Sequence, residues 1–182
     1  MKTYIALIRG INVGGTRVIP MKELVSIMSA LGLENVRTYI QSGNAAFQCS
    51  AANAKGLEKR MGATIQELKG FRPEIMILSD SALLSILKDN PFPEGMADPT
   101  KLQIGILASK PIKPDLEAIA TLKSNTEQFK LTSAAFYLHA PDGIGNSKLA
   151  QRVERLLGVD VTVRNMRTIA KLLELASTIQ RD

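Results

Sequence analysis

Apolar residues recur along the chain at two spacings, which predict alternating strands and helices. The first apolar run, 3–8, contains β-branched residues and predicts a buried strand. Apolar residues spaced by three and four positions follow Pro20 and predict a helix over 20–31. Gly32 then stands where a helix ends in a left-handed cap, and Leu33 is placed for the hydrophobic contact that accompanies it.

The rest of the first half predicts three strands and one helix. Runs 36–40 and 45–49 are strand-like and flank a segment whose Ser-Gly-Asn sequence tolerates the positive φ of a tight hairpin. Another strand is predicted over 74–78. A helix is predicted over 52–69, with one apolar face formed by Leu57, Met61, Ile65 and Leu68.

The second half repeats this element order without similarity at the level of residues. Strands are predicted over 102–107, 128–131, 135–138 and 159–163. One helix is opened by Pro114, a second ends at Gly158, and a last helix starts at about 166. The sequence therefore predicts an α+β fold of two ferredoxin-like (β-α-β-β-α-β) halves with antiparallel sheets, a linking helix and a C-terminal helix.

Prolines mark the predicted boundary between the halves. The segment 91–100 holds three of the eight prolines and is predicted to be a linker. Residues 1–90 form the first predicted domain, whose linking helix is capped by Ser79 or Asp80. Residues 101–182 form the second domain, which includes the C-terminal helix.

The predicted topology brings separated polar segments together. In each half, neighbouring strands run antiparallel, so we expect 9–17 beside 41–44, and 141–148 at the same sheet end as 164–167. We call these pairs the first corner and the second corner. The candidate ligand-binding residues of the first corner are Arg9, Asn12, Gly14, Gly15, Arg17, Gln41, Ser42 and Asn44. Those of the second corner are Ser147, Lys148, Arg164, Asn165 and Arg167.

Both corners have the composition of an anion-binding site. Glycines let the backbone approach a ligand closely, helix starts offer free N–H groups, and arginines and lysine supply charge. The first corner matches no nucleotide-binding motif, and turn formation by itself explains Gly14 and Gly15. Asn146 or Ser147 is equally explained as a helix N-cap. Lys148 at a helix start is unfavourable for the helix dipole, which favours a further role for this cation.

Composition narrows the classes of protein and of site. One cysteine and one histidine exclude a disulfide framework and Cys- or His-rich metal sites, so we expect no metal and no cofactor. No apolar run is long enough to span a bilayer, and we expect a cytoplasmic protein without membrane contact. The net charge of +6 permits an anionic partner.

Two alternatives to ligand binding remain open. The first is an enzyme acting on a small phosphorylated or carboxylated metabolite, with His139, Asp142 or Tyr39 in proton transfer. No nucleophile stands at an informative spacing from a base. The second is a homodimeric interaction protein that associates through sheet faces or the C-terminal helix.

Four segments carry a family resemblance: 7–15, 36–44, 143–149 and 164–168. In this order they resemble the bacterial domain-of-unknown-function 1697 family over essentially the whole chain. The resemblance implies an intracellular α+β protein with two ferredoxin-like halves and implies no activity. This chain departs from the family pattern at three positions. Thr16 stands where the family usually has a basic residue, Asn146 where it usually has Arg, and Met166 where it usually has Trp.

These observations favour a binding module for a phosphate-bearing ligand, either a nucleotide or a nucleic acid. Backbone amides would supply the geometry of the site, and the cations would supply affinity.

Overall fold

The computed structural model describes residues 1–180 and contains two four-stranded antiparallel sheets. The first sheet has the order β2-β3-β1-β4, and the second has the equivalent order β6-β7-β5-β8. The strands of the first are β1 (Lys2–Ile8), β2 (Glu34–Tyr39), β3 (Asn44–Cys49) and β4 (Ile75–Ser79). Those of the second are β5 (Leu102–Leu107), β6 (Gln128–Leu131), β7 (Ala135–His139) and β8 (Val161–Asn165). The predicted fold of two ferredoxin-like halves is confirmed.

Helices connect the strands as the element order requires. In the first part of the chain they are α1 (Met21–Ala30), α2 (Ala51–Ala54), α3 (Leu57–Lys69) and α4 (Asp80–Lys88). They continue with a 3-10 helix (Pro93–Met96), α5 (Leu116–Leu122), α6 (Lys148–Leu157) and α7 (Met166–Ile179). Among the described residues, no helix combines the length and apolar character needed to cross a membrane.

The C-terminus of α1 is built as its sequence predicts. Gly32 has a φ of 79°, and its N–H donates to the Ser29 carbonyl at 2.9 Å. The N–H of Leu33 reaches back to the Met28 carbonyl at 3.2 Å. This pair of bonds is the Schellman motif, which satisfies carbonyls that the helix end would otherwise leave without donors.

The prediction of one continuous helix over 52–69 was wrong. The chain forms α2 and α3, separated by an extended Lys55 and by Gly56 in the left-handed region at φ 68°. Glycine adopts this conformation at little steric cost, so the helix restarts after it instead of continuing through it. Leu68, expected on the buried face, is 61% exposed.

The contacts divide the chain into two compact units, each with its own sheet. Among the described residues, the first consists of 1–85 together with 170–180, and the second of Ile86–Ile169. In the first, α1 and α3 cover one sheet face, and Phe47 and Cys49 of β3 are fully buried beneath them. Burial raises the pKa of the Cys49 thiol, so this cysteine behaves as a core residue.

In the second unit, the two faces of the sheet are covered by different elements. Phe136 and Leu138 belong to the core that contains Ile119 of α5 and three buried residues of α6. Residues alternate between the two faces of a strand, so Tyr137 and His139 lie on the other face. There the Tyr137 hydroxyl donates to the Ile86 carbonyl at 2.7 Å.

The 3-10 helix and the residue before it pack on the same face of this sheet. The ring of Phe92 stacks on His139 with centroids 6.1 Å apart. Gly95 lies so close to the side chain of Leu102 that an added Cβ would meet it at 3.0 Å. Part of the segment 91–100 is thus packed against β5 and β7.

Candidate functional site

The first corner brings the β1–α1 loop against the β2–β3 hairpin. The amide of Asn12 donates to the Gln41 carbonyl at 2.7 Å, and the N–H of Ile8 donates to the Gly43 carbonyl at 2.7 Å. Gly43 sits so close to Ile8 that a Cβ would lie 2.7 Å from the Ile8 carbonyl oxygen. The predicted juxtaposition of these two segments is therefore present.

Polar side chains of the first corner hold its own backbone. Asn12 donates through its amide to the Ile19 carbonyl at 2.9 Å and accepts from the Ile19 N–H at 2.8 Å. The fully buried Asn44 donates to the Tyr39 carbonyl at 3.2 Å and to the Ser42 hydroxyl at 2.9 Å. Arg9 forms an ion pair with Glu74 at 2.6 Å. These contacts hold the loop and the hairpin each in its own conformation and tie the end of β1 to the segment before β4.

The outer part of this corner is exposed. Gly14 and Gly15 both have positive φ, and a Cβ at either would meet no atom within 4 Å. They lie within a turn in which the N–H of Thr16 donates to the Val13 carbonyl at 3.1 Å. Arg17 is exposed and also has positive φ, at 50°. The glycines therefore occupy an open turn.

The two segments of the second corner lie at the same sheet end, on opposite sides of β5. His139, at the end of β7, pairs with Leu102, while Asn165, at the end of β8, pairs with Gln103. Asn165 accepts from the Thr168 N–H at 2.9 Å, as a helix N-cap does. Met166, where the family usually has Trp, is fully buried. It therefore provides no exposed stacking surface.

The two arginines of the second corner have neighbours of their own. Arg164 donates to the Val163 carbonyl at 2.9 Å. Arg167 lies near Asp98: the pKa of that carboxyl is lowered first by hydrogen bonds from Thr100 and, to a smaller extent, by the charges of Lys101 and Arg167. The charge of Arg167 therefore acts weakly on a carboxylate at the entry to β5.

The loop before α6 lines a cavity of about 490 Å³, which we call the α6 cavity. Its other wall is the connection between α5 and β6. The lining residues are Thr121, Leu122, Lys123, Ser124, Thr126, Glu127, Ala140, Asp142, Gly143, Asn146, Ser147 and Lys148. Of the candidate residues, this set contains Ser147 and Lys148, whereas Arg164, Asn165 and Arg167 are not part of the lining.

Two lysines and the first residues of α6 belong to the lining of the α6 cavity. The buried Ser147 is the N-cap of α6, and its hydroxyl accepts from the Ala150 N–H at 3.0 Å. The N–H groups of Lys148 and Leu149 begin the helix and have no acceptor within it. Lys123 and Lys148 are two cationic residues of the lining, and the Lys123 ammonium donates to the carbonyls of Ser124 and Glu127 at 3.4 and 3.3 Å. This combination matches the requirements of an anion such as phosphate.

Two carboxylates also line the α6 cavity. Glu127 is only 5% exposed, and its Oε2 accepts from the Ser124 N–H at 2.9 Å. Asp142 accepts through Oδ2 from the Thr126 hydroxyl at 2.6 Å. Carboxylate oxygens accept several hydrogen bonds each, so both groups are suited to hydroxyl or amino groups of a ligand.

Sequence reasoning missed Lys123 and Glu127, although the topology contained a signal for them. Gln128 begins β6 opposite His139, which ends β7. The α5–β6 connection must therefore lie at the same sheet end as the loop after β7. No motif marks residues 121–127, and only the strand register places them.

Two ferredoxin-like halves define the chain as an α+β protein with a duplicated element order. The family is confirmed by a direct match: the chain belongs to the family described as "Protein of unknown function (DUF1697)", whose model covers residues 1–137. The matched span ends within β7, so the loop before α6 follows it.

A solved structure has the same fold over nearly the whole chain. The conserved bacterial protein SP0830 from Streptococcus pneumoniae superposes with a TM-score of 0.71 and 22% sequence identity. The superposition covers 96% of this chain and 98% of that one. No curated protein shows significant sequence similarity to the chain.

Proposed function

We propose that the protein binds a small phosphate-bearing molecule in the α6 cavity. The observation that carries this proposal is the presence of Lys123, Lys148 and the N-terminus of α6 in the lining of one concave space. Lys148 stands at the first helical position, where a cation opposes the helix dipole by roughly 0.3–1 kcal/mol. A bound phosphate would remove this conflict by lying between the ammonium group and the helix amides.

The size of the cavity favours a small molecule over a polymer. A volume of about 490 Å³ falls within the range of roughly 300–1,000 Å³ that is usual for small-molecule sites. Glu127 and Asp142 would repel successive phosphates of a nucleic acid backbone. A single phosphate at the lysines, by contrast, leaves these carboxylates to accept from other ligand groups.

The carboxylates specify the chemistry expected beyond the phosphate. Glu127 is held by the Ser124 amide and Asp142 by the Thr126 hydroxyl, which fixes acceptors along the wall. Hydroxyl groups of a sugar or amino groups would donate to them. The proposed ligand class is therefore a phosphate ester that carries hydroxyl or amino groups, such as a sugar phosphate or a nucleotide.

The first corner supports this proposal less well. Its Asn12 and Asn44 amides are committed to the backbone, and Arg9 pairs with Glu74. Gly14 and Gly15 lie in an open turn. For these reasons we place the ligand at the α6 cavity.

Thermal unfolding at low salt tests the proposal with three probes: a pentose phosphate, a nucleoside monophosphate and pyrophosphate. A ligand at 100 times its Kd adds about 2.7 kcal/mol of stability, which raises the midpoint by several degrees. We expect at least one probe to do so. Lys148→Gln and Lys123→Gln should remove the shift, whereas Lys130→Gln, outside the cavity lining, should retain it.

Two outcomes contradict the proposal. One is that none of the three probes raises the unfolding midpoint. The other is that Lys130→Gln loses the ligand-induced rise as fully as Lys148→Gln and Lys123→Gln do. Tight oligonucleotide binding with a salt slope near 0.9 log units per neutralised phosphate would instead support a nucleic-acid partner.

A further inference from the structure

His139 has an unusual environment for the single histidine of the chain. It is 9% exposed, and its Nδ1 is buried with no hydrogen-bond partner. Glu94 of the 3-10 helix presents Oε1 at 3.9 Å from this nitrogen, beyond hydrogen-bond distance. A buried polar atom that lacks a partner is costly, so this one calls for an explanation.

The groups around His139 leave Glu94 as its ionic neighbour. Phe92 stacks on the imidazole, and the strand partners Leu102 and Gln128 carry no charge. Two charged residues lie next to these partners in the chain. Glu127 precedes Gln128, and its carboxylate accepts from the Ser124 N–H. Lys101 precedes Leu102, and its ammonium lies beside Gly143, 3.6 Å from where a Cβ of that glycine would be.

We propose that His139 and Glu94 form a proton-dependent latch that fastens the 3-10 helix to the second sheet. When the imidazole holds two protons, both ring nitrogens are donors. The Nδ1–H then binds the Glu94 carboxylate after the two atoms, 3.9 Å apart, approach each other by about 1 Å to the distance of a charge-assisted bond. Glu94 is 48% exposed in its side chain and has room to move. When the imidazole is neutral, this charge-assisted bond is lost.

The direction of the pH effect follows from the sign of the partner. The Glu94 carboxylate attracts an imidazole that carries two protons and a positive charge, so the latch is closed in that state and open when the imidazole is neutral. The 3-10 helix therefore gains stability on acidification. Ala140 and Asp142 follow His139 in the chain and line the α6 cavity, so the latch adjoins that site.

Amide hydrogen exchange tests the latch, with rates corrected for the intrinsic effect of pH. The reporting amides are Gly95 and Ala97, which donate to Phe92 and Glu94 carbonyls at 3.1 and 3.2 Å. We expect their protection to be about fivefold higher at pH 5.5 than at pH 8, as for a partly exposed charge-assisted bond.

Three variants decide the origin of the effect. Glu94→Gln keeps the shape of a side chain that is about half exposed but removes its charge, and should abolish the pH dependence. His139→Phe retains the stack on Phe92 and should also abolish the pH dependence of protection. The control Glu117→Gln on α5 should leave that pH dependence intact. Unchanged protection in the wild type, or a pH effect that persists in Glu94→Gln, would overturn the proposal.

Discussion

The side-chain amide of Asn12 donates to the Gln41 carbonyl at 2.7 Å and thereby ties the β1–α1 loop to the β2–β3 hairpin. Asn12 also exchanges two bonds with Ile19 and has a positive φ of 56°. The Asn12 side chain therefore joins the two ends of the β1–α1 loop and also binds the β2–β3 hairpin. The glycines of this corner are positioned by that framework.

Two substitutions of Asn12 distinguish the contribution of its hydrogen bonds to stability from that of its backbone conformation. Asn12→Gly removes three hydrogen bonds but tolerates the positive φ, and we expect a loss of roughly 2 kcal/mol in unfolding free energy. Asn12→Ala should lose about 1 kcal/mol more, because alanine is strained in the left-handed region. Denaturant unfolding measures both. Equal stabilities of Asn12→Gly and wild type would contradict the framework role.

Two glycines of similar φ test the close approach of the hairpin to β1. Gly43 has a φ of 77° and would place a Cβ 2.7 Å from the Ile8 carbonyl oxygen. Gly15 has a φ of 74° and would meet nothing within 4 Å. We expect Gly43→Ala to cost roughly 3 kcal/mol and Gly15→Ala about 1 kcal/mol in chemical denaturation. If the two cost the same, the contact with Ile8 is not close.

Removing the cation at the start of α6 should affect stability and binding in opposite directions. Lys148→Gln relieves an unfavourable interaction with the helix dipole, so unfolding free energy should rise by about 0.3–1 kcal/mol at low salt. Phosphate-ester binding should fall in the same variant. Thermal unfolding with and without the probe measures both effects, and a destabilised Lys148→Gln would assign this lysine a structural role instead.

The Tyr137 hydroxyl anchors the last turn of α4 to β7. Tyr137→Phe loses the 2.7 Å bond to the Ile86 carbonyl and should cost roughly 1 kcal/mol. Burial raises the pKa of Tyr137 to about 12 from 10.0. The unfolded chain therefore releases this proton first, and the stability that depends on it is lost as pH rises from 10 to 12. Tyr137→Phe should lack this alkaline component in pH-dependent unfolding, and Tyr39→Phe, at the end of β2, should retain it.

Sequence patterns predicted the elements well where local signals and tertiary packing agree. Gly32 followed an apolar helical face and formed the expected cap. In contrast, the apolar spacing after residue 52 gave no sign that Gly56 would break the helix, because periodicity reports the buried face and not the φ of a single glycine. Leu68 was assigned to the buried face by spacing alone, although it lies near the end of α3 and is exposed.

The candidate site was only partly accessible from sequence. Ser147 and Lys148 were found because a helix start has a recognisable composition. Lys123 and Glu127 have no such signal, and their place in the cavity depends on the β6–β7 register. Charge alone was a poor guide: Arg9 faces Glu74, and Arg167 lies near Asp98.

The most direct measurement is an amide chemical-shift titration of the ¹⁵N-labelled protein with inorganic phosphate, compared with chloride at equal ionic strength. Phosphate is the group that the proposed ligands share, and helix N-termini bind it through backbone amides. We expect saturable shifts that are largest at Lys148 and Leu149 and extend to residues 123–127. The absence of saturable shifts, or shifts centred on Gly14 and Gly15, would contradict the proposed binding.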